Sequence, residues 1–162
     1  MRSREARIRK QQSILMCSGL AVILFGVWSI IRIVLLRFAD KNHFIHLLDP
    51  TGIVQEHNLL NVVLVGILII LSIDLIIRTY IGISAMQEGL GKMKKRITYI
   101  VVAAICLAIA LYTDITSTAL PMNDDFSFEF FLSTVIDISA HIATFEIIVA
   151  SLKLRKLMKE QQ

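Results

Sequence analysis

Four long apolar stretches constrain the fold of this chain more than any other feature of its sequence. They cover residues 14–36, 59–83, 97–119 and 128–152. An α-helix rises about 1.5 Å per residue, so a hydrocarbon layer of about 30 Å requires roughly 20 apolar residues. Inside a bilayer the backbone amides have no water to bond, and a helix satisfies them within one segment. The sequence therefore predicts an all-α integral membrane bundle of four transmembrane helices.

The positions of lysine and arginine predict how these helices are oriented. Basic residues are concentrated in the N-terminal segment 1–13, in the connection 84–96 and in the tail 153–162. The other two connections carry few basic residues, and the segment 121–128 is acidic. Because Lys and Arg accumulate on the cytoplasmic side of membrane proteins, we expect both termini in the cytoplasm. We expect one four-span domain in a cell membrane, either a plasma membrane or an inner membrane.

The composition and charge agree with a membrane location and argue against nucleic-acid binding. The chain is 56% hydrophobic, whereas a soluble domain is usually about 45–50% apolar. Its formal net charge is +4, but the basic residues lie in clusters between apolar runs. That arrangement is typical of contact with the anionic face of a membrane. The expected partner is therefore the lipid bilayer, and no nucleic acid is expected.

Ionisable side chains inside the predicted spans are candidates for function, because a charge at the bilayer centre costs about 2.5–3.5 kcal/mol on insertion scales. Seven candidates are Arg32, Asp74, Arg78, Asp114, Asp137, His141 and Glu146. Asp74 and Arg78 stand at i,i+4 and can pair on one helix face, where Glu146 could join them. Arg32 and Asp114 both lie near the outer surface, so they can reach the interface or pair with each other.

Asp137 and His141 lie near the middle of the fourth span, at i,i+4 on one helix face. Thr134 and Thr144 continue the same face at helical spacing. One interpretation is a neutral histidine bonded to the carboxylate, which would hold neighbouring helices together. The other is a relay for protons or cations, because imidazole and carboxylate groups exchange protons readily. The sequence leaves both interpretations open.

The first outer connection contains a second pattern, His43 and His46 separated by one helical turn. Two imidazoles can share one metal ion, and Asp40 or Asp49 could complete its coordination. A His-x-x-His pair is also common on protein surfaces, so we assign no metal and no cofactor. His43 and His46 are retained only as candidate ligands.

The sequence contains none of the catalytic motifs that would indicate an enzyme. The sequence has neither His-Glu-x-x-His nor Gly-x-Ser-x-Gly. Gly91-Lys92 resembles the end of a phosphate-binding loop, but the glycine required five positions earlier is Met86. We therefore expect a non-enzymatic protein.

Small residues within the spans predict where helices pack closely. Ala104 and Ala108 form a small-xxx-small pair in the third span, and Gly19 and Gly26 lie one heptad apart in the first.

Two classes of function follow from these patterns. The first is a non-enzymatic membrane subunit that acts through protein or lipid partners, including a second copy of the chain. The second is a small proton- or cation-linked transporter or channel that uses the Asp137 and His141 pair. A single bundle of four helices leaves little room for a pathway of its own, which favours the first class.

Overall fold

Four long α-helices make up almost all of the part of the chain that the computed structural model describes, namely residues 2–39, 57–92, 97–118 and 128–159. In chain order the helices are α1 (Arg2–Ala39), α2 (His57–Gly89), α3 (Thr98–Thr118) and α4 (Phe128–Lys159). These ranges contain no β-strand.

Each helix contains a segment long and apolar enough to cross a membrane. These segments are Glu5–Arg32, Val65–Gly89, Thr98–Thr116 and Thr134–Lys159. The prediction of an all-helical chain with four such helices is therefore confirmed, and the chain has the character of a membrane protein.

The second helix extends beyond the apolar run that predicted it. The sequence places 84–89 in a connection, whereas α2 continues to Gly89. The helix ends in a Schellman motif: the Lys92 amide donates to the Gln87 carbonyl and the Gly91 amide to the Glu88 carbonyl, both at 3.0 Å. Gly91 has a φ of 72°, a left-handed conformation that glycine adopts without steric cost. Glu88 is consequently part of the helix.

The chain forms two compact units, one of Met1–Phe25 with Thr79–Gln162 and the other of Gly26–Arg78. The first unit contains parts of α1 and α2 together with α3 and α4. Its core combines alanines with larger aliphatic side chains and one tyrosine. The buried apolar residues are Leu15, Val22, Ile81, Ala85, Tyr99, Ile100, Ala103, Ala140, Ala143, Ile147, Ala150 and Leu154.

Within the first unit, glycine allows α1 and α2 to approach backbone to backbone. A Cβ atom built on Gly82 would lie 2.5 Å from the carbonyl oxygen of Gly19, and one on Gly19 would lie 2.7 Å from that of Gly82. A Cβ on Gly89 would lie 2.8 Å from the carbonyl oxygen of Gln12. Such a crossing suits helices in lipid, where close van der Waals packing replaces the hydrophobic effect as the main attraction.

The face of α3 that packs in the first unit differs from the predicted one. Ala103 is fully buried, whereas Ala104 and Ala108 are exposed. The prediction that Ala104 and Ala108 face a neighbouring helix is therefore wrong. A shift of one residue rotates a helix face by about 100°, because a turn holds 3.6 residues. The packed face instead contains Tyr99 and Ala103, which are one turn apart.

Candidate functional site

A buried polar cluster joins α2, α3 and α4 in the first unit, and we call it the Glu88 cluster. It consists of Glu88, Tyr99, Ser151 and Arg155. The guanidinium of Arg155 donates through Nε to Oε1 of Glu88 at 3.0 Å and through Nη2 to Oε2 at 3.1 Å. The Tyr99 hydroxyl donates to Oε2 of Glu88 and also contacts the Ser151 hydroxyl. The guanidinium carbon lies 6.0 Å from the centroid of the Tyr99 ring.

Burial explains why these four side chains occur together. The Glu88 side chain is only 3% exposed, and the Arg155 side chain is 20% exposed. A buried carboxylate is costly unless a cation and hydrogen-bond donors compensate for its lost hydration. Arg155 supplies the charge and a two-pronged contact, and Tyr99 supplies a further donor. The arrangement balances one negative and one positive charge while holding three helices at a fixed separation.

The sequence reasoning missed the Glu88 cluster because it assigned Glu88 to a connection and Arg155 to a tail. One signal could have found Glu88: Ile81, Ala85 and Glu88 follow each other at helical spacing, and all three are buried. Arg155 could have been found by extending the polar face of α4 beyond Thr144.

That face is longer than the sequence reasoning recognised. At alternating spacings of three and four residues it contains Thr134, Asp137, His141, Thr144, Ile148, Ser151 and Arg155. Such spacing keeps side chains on one stripe of a helix. Ile148 interrupts the polar series, and the Thr144 hydroxyl donates to the carbonyl of Ala140 at 2.9 Å, within its own helix. The stripe is thus divided into a part around His141 and a part in the Glu88 cluster.

His141 contacts two groups that the sequence did not pair with it. Its Nδ1 atom contacts the main-chain carbonyl oxygen of Asp137, one turn earlier in α4. Its Nε2 atom lies 3.2 Å from Oδ2 of Asp114 in α3, which is an ion-pair distance if the ring is protonated. Nε2 is buried and makes no aligned hydrogen bond to the described residues. The structure thus brings the carboxylate of Asp114, on the neighbouring helix, close to the ring, and a bond between the ring and the Asp137 carboxylate stays a prediction.

Glu146 and Ser18 join α4 to α1. The buried hydroxyl of Ser18 donates to Oε2 of Glu146 at 2.7 Å. The sequence allows Glu146 to join Asp74 and Arg78 instead. Those two residues belong to the second unit, and their association with Glu146 stays a prediction.

In the second unit, Asp74 and Arg78 form a contact within α2. The Arg78 Nε atom lies 2.6 Å from Oδ2 of Asp74; the Arg78 side chain is 25% exposed and the Asp74 side chain 39%. This is the i,i+4 pair that the spacing predicts. Arg32 also belongs to the second unit and Asp114 to the first, so a pair between them stays a prediction.

The candidate metal ligands His43 and His46 lie outside the described residues. Among the described residues, no group of three or more His, Cys, Asp or Glu side chains could hold a metal ion.

Comparisons with protein-family models, with curated proteins and with solved structures find no match for this chain.

Proposed function

We propose that the protein is a non-enzymatic, multi-pass subunit of a cell membrane that acts through protein or lipid partners. The observation that carries the proposal is the Glu88 cluster, in which charged and polar groups of three helices contact one another. Groups engaged in this way stabilise a helical bundle.

Charge placement supports a topology with both termini in the cytoplasm. Exposed basic side chains occur at the start of α1, as with Arg9 and Lys10, and at the end of α4, as with Lys153 and Lys156. The four predicted apolar stretches, 14–36, 59–83, 97–119 and 128–152, lie between these two groups of basic residues. If these Lys and Arg residues stay on the cytoplasmic side, both termini lie in the cytoplasm and the chain crosses the membrane an even number of times, as one four-span domain does.

Exposed apolar side chains supply the surface through which a partner would act. Ile76 of α2, Ile109 of α3 and Ile142 of α4 are each more than half exposed. In a membrane such positions contact either lipid or another transmembrane helix, and the structure offers them on three helices.

The proposal is tested by photo-crosslinking in native membranes. A photoreactive residue is introduced at Ile76, Ile109 or Ile142, and at the fully buried Leu154 as a matched control. We expect at least one exposed position to give a defined adduct with a protein, a second copy of the chain or one lipid class, and Leu154 to give none. The proposal fails if no exposed position gives a defined adduct and the purified protein alone carries a specific ion flux in vesicles.

A second function, proton or cation movement, is favoured by the contact between His141 and Asp114. This contact places an imidazole and a carboxylate from two helices 3.2 Å apart inside apolar segments. Asp137 lies one turn from His141 on the same helix. If these groups carry ions, Asp137→Asn and His141→Asn abolish pH-dependent flux in proteoliposomes while the protein stays folded. Thr144→Val retains flux, because its hydroxyl bonds to its own helix. Absence of flux in the unmodified protein rules out this second function.

A further inference from the structure

The start of α1 and the end of α4 lie at the same end of the first unit. Ser18 of α1 donates a hydrogen bond to Glu146 of α4. Nearer the start of α1, a Cβ atom built on Gly89 of α2 would lie 2.8 Å from the carbonyl oxygen of Gln12. Arg155 of α4 contacts the residue that precedes this glycine. Passing from the first contact to the second goes back along α1 and forward along α4, so these two helices run antiparallel.

Basic side chains extend the contact between α1 and α4 toward this end. Arg7 lies eleven residues before Ser18, and Lys153 lies seven residues after Glu146. Both spacings return to nearly the same face of a helix, because successive residues are rotated by about 100°. Arg7 and Lys153 therefore lie on the sides by which the two helices meet, and both are exposed.

Two further basic side chains lie on one common side of this contact. Relative to the two residues that bond there, Lys10 and Lys156 are each rotated by about 80° in the same sense. The fully buried Leu15 and Ile147 are rotated in the opposite sense, toward the core. Because the helices are antiparallel, equal rotations place Lys10 and Lys156 together on the outer surface, where both are exposed. We call the four cations the basic patch: Arg7, Lys10, Lys153 and Lys156.

The basic patch is narrow along the helix axes. Counted from the two contacts between the helices, Lys153 lies level with residues 11–14 of α1, and Lys156 lies level with residues 8–11. At about 1.5 Å per residue, the four cations fall within about 6–10 Å of one another along the axes. One phosphate group with its several oxygens can reach cations that are spread over such a distance.

The described acidic side chains of the first unit lie outside the basic patch. Glu88 is buried and contacts Arg155, and Glu5 lies on another face of α1. Glu146 is separated from Lys153 by seven residues, or about 10 Å along α4. The patch is therefore a concentration of positive charge, which attracts an anion from outside the described part of the chain.

Exposed apolar side chains continue the basic patch along both helices. Leu24 lies two heptads after Lys10 on α1, and on α4 Phe145, Leu152 and Lys156 follow at spacings of seven and four residues. Such spacings keep side chains on one face of a helix. Leu24, Phe145 and Leu152 are each more than half exposed and belong to the apolar segments. In a membrane they would contact acyl chains, and the cations would lie at the depth of the lipid headgroups.

A phospholipid matches both parts of this surface, whereas a soluble anion or an acidic protein matches the charges alone. We propose that the basic patch binds the phosphate of an anionic phospholipid, whose acyl chains lie along the exposed apolar faces of α1 and α4. An anionic headgroup carries no cation of its own, so the patch prefers it to a zwitterionic one. This inference rests on the proposed function, because it names the lipid class that would be the partner of the subunit.

The test is competition binding with the purified, delipidated full-length chain in detergent micelles. The probe is radiolabelled dioleoylphosphatidylglycerol. Its competitors are the unlabelled lipid and dioleoylphosphatidylcholine, which has the same acyl chains and a zwitterionic headgroup. We expect the unlabelled anionic lipid to displace the probe at a concentration at least tenfold lower than the zwitterionic lipid. Inorganic phosphate and polyglutamate, each at constant ionic strength, should not displace the probe.

A charge-matched pair of double variants tests the location of the site. Arg7→Gln with Lys153→Gln removes two cations of the basic patch. Because each basic residue near an anionic lipid contributes about fivefold in affinity, binding of the probe should weaken roughly twenty-five-fold. Arg9→Gln with Lys92→Gln removes the same two charges from exposed positions of α1 and of the segment after α2. This control should weaken binding by no more than about threefold, since its side chains lie on other faces. Helical circular dichroism and elution volume show that both double variants are folded.

Five outcomes overturn the proposal. Two concern selectivity and location: equal affinity of the unmodified protein for the two lipids, or retention of full affinity by the patch variant. A third is an equal loss in the control variant, which reduces the effect to overall charge. Displacement of the probe by inorganic phosphate assigns the patch to a free anion, and displacement by polyglutamate assigns it to an acidic protein. Equal lipid affinities together with defined photo-adducts at the exposed isoleucines refute the lipid site and leave the subunit function standing.

Discussion

Replacing Arg155 with glutamine would leave the carboxylate of Glu88 buried without the guanidinium that contacts both of its oxygens. The two donor–acceptor distances, 3.0 and 3.1 Å, are those of good charge-assisted hydrogen bonds. The glutamine side chain is shorter and uncharged, so it restores neither the charge nor the two-pronged geometry.

The expected loss follows from the burial of the two partners. Removing one member of a buried ion pair costs about 3–5 kcal/mol, because the remaining charge is uncompensated. Two features place the expected loss of unfolding free energy at the lower end of this range. The Arg155 side chain is 20% exposed, and Tyr99 still donates to Glu88 after the change. We therefore expect Arg155→Gln to lower the free energy of unfolding by about 3 kcal/mol.

The assay is reversible unfolding in mixed detergent micelles, with α-helical circular dichroism as the signal. Lys156→Gln is the matched control, because it removes the same charge from the next residue of α4, whose side chain is exposed. It should leave the unfolding free energy unchanged. Arg155→Lys keeps the charge without the planar fork, so its loss should lie between those of the other two variants.

Combining Arg155→Gln with Glu88→Gln separates pairing from packing. If the cost arises from an uncompensated charge, the double variant is more stable than Arg155→Gln alone, because no charge then remains buried. The reasoning is refuted if Arg155→Gln unfolds at the same detergent composition as Lys156→Gln. It is also refuted if the double variant loses as much free energy of unfolding as the two single variants lose together.

Further predictions concern packing and single hydroxyl groups in the same unfolding assay. Gly82→Ala should cost about 1–3 kcal/mol, because its Cβ has no room beside α1. Gly66→Ala, where nothing lies within 4 Å of the new Cβ, should instead gain about 0.5–1 kcal/mol, and the reverse order would contradict the close crossing. Tyr99→Phe should cost about 2 kcal/mol through the lost donor to a carboxylate, whereas Tyr112→Phe, at a side chain that is largely exposed, should change nothing. Thr144→Val should leave stability unchanged or slightly higher, since the hydroxyl bonds to its own helix, and a large loss would show an interhelical role.

The apolar runs predict the four helices but not where these helices end. Hydropathy reports the depth at which a residue lies in lipid, and a helix continues beyond that depth while its backbone hydrogen bonds are satisfied. The end of α2 is set by the left-handed conformation of Gly91, eight residues beyond Ile83, the last residue of the predicted span. The sequence reasoning therefore placed Glu88 in a connection and lost the residue at the centre of the main polar cluster.

Polar contacts between residues close in sequence can be predicted, whereas contacts between residues on different helices cannot. The contact between Asp74 and Arg78 is local, so helical spacing alone predicts it. Glu88 contacts Arg155 at a separation of 67 residues, and Ser18 contacts Glu146 at a separation of 128. The periodicity of one helix does not predict contacts between helices, so the sequence did not indicate the contact between His141 and Asp114 either.

The sequence by itself determined that this chain forms four apolar helices, because the length and polarity of each segment act locally on its own backbone. The tertiary structure decided which helix faces meet. In lipid, apolar side chains find equally apolar surroundings on every side, so burial does not select a rotation for each helix. That choice depends on close packing, such as Gly19 against Gly82, and on polar groups that find their partners on other helices.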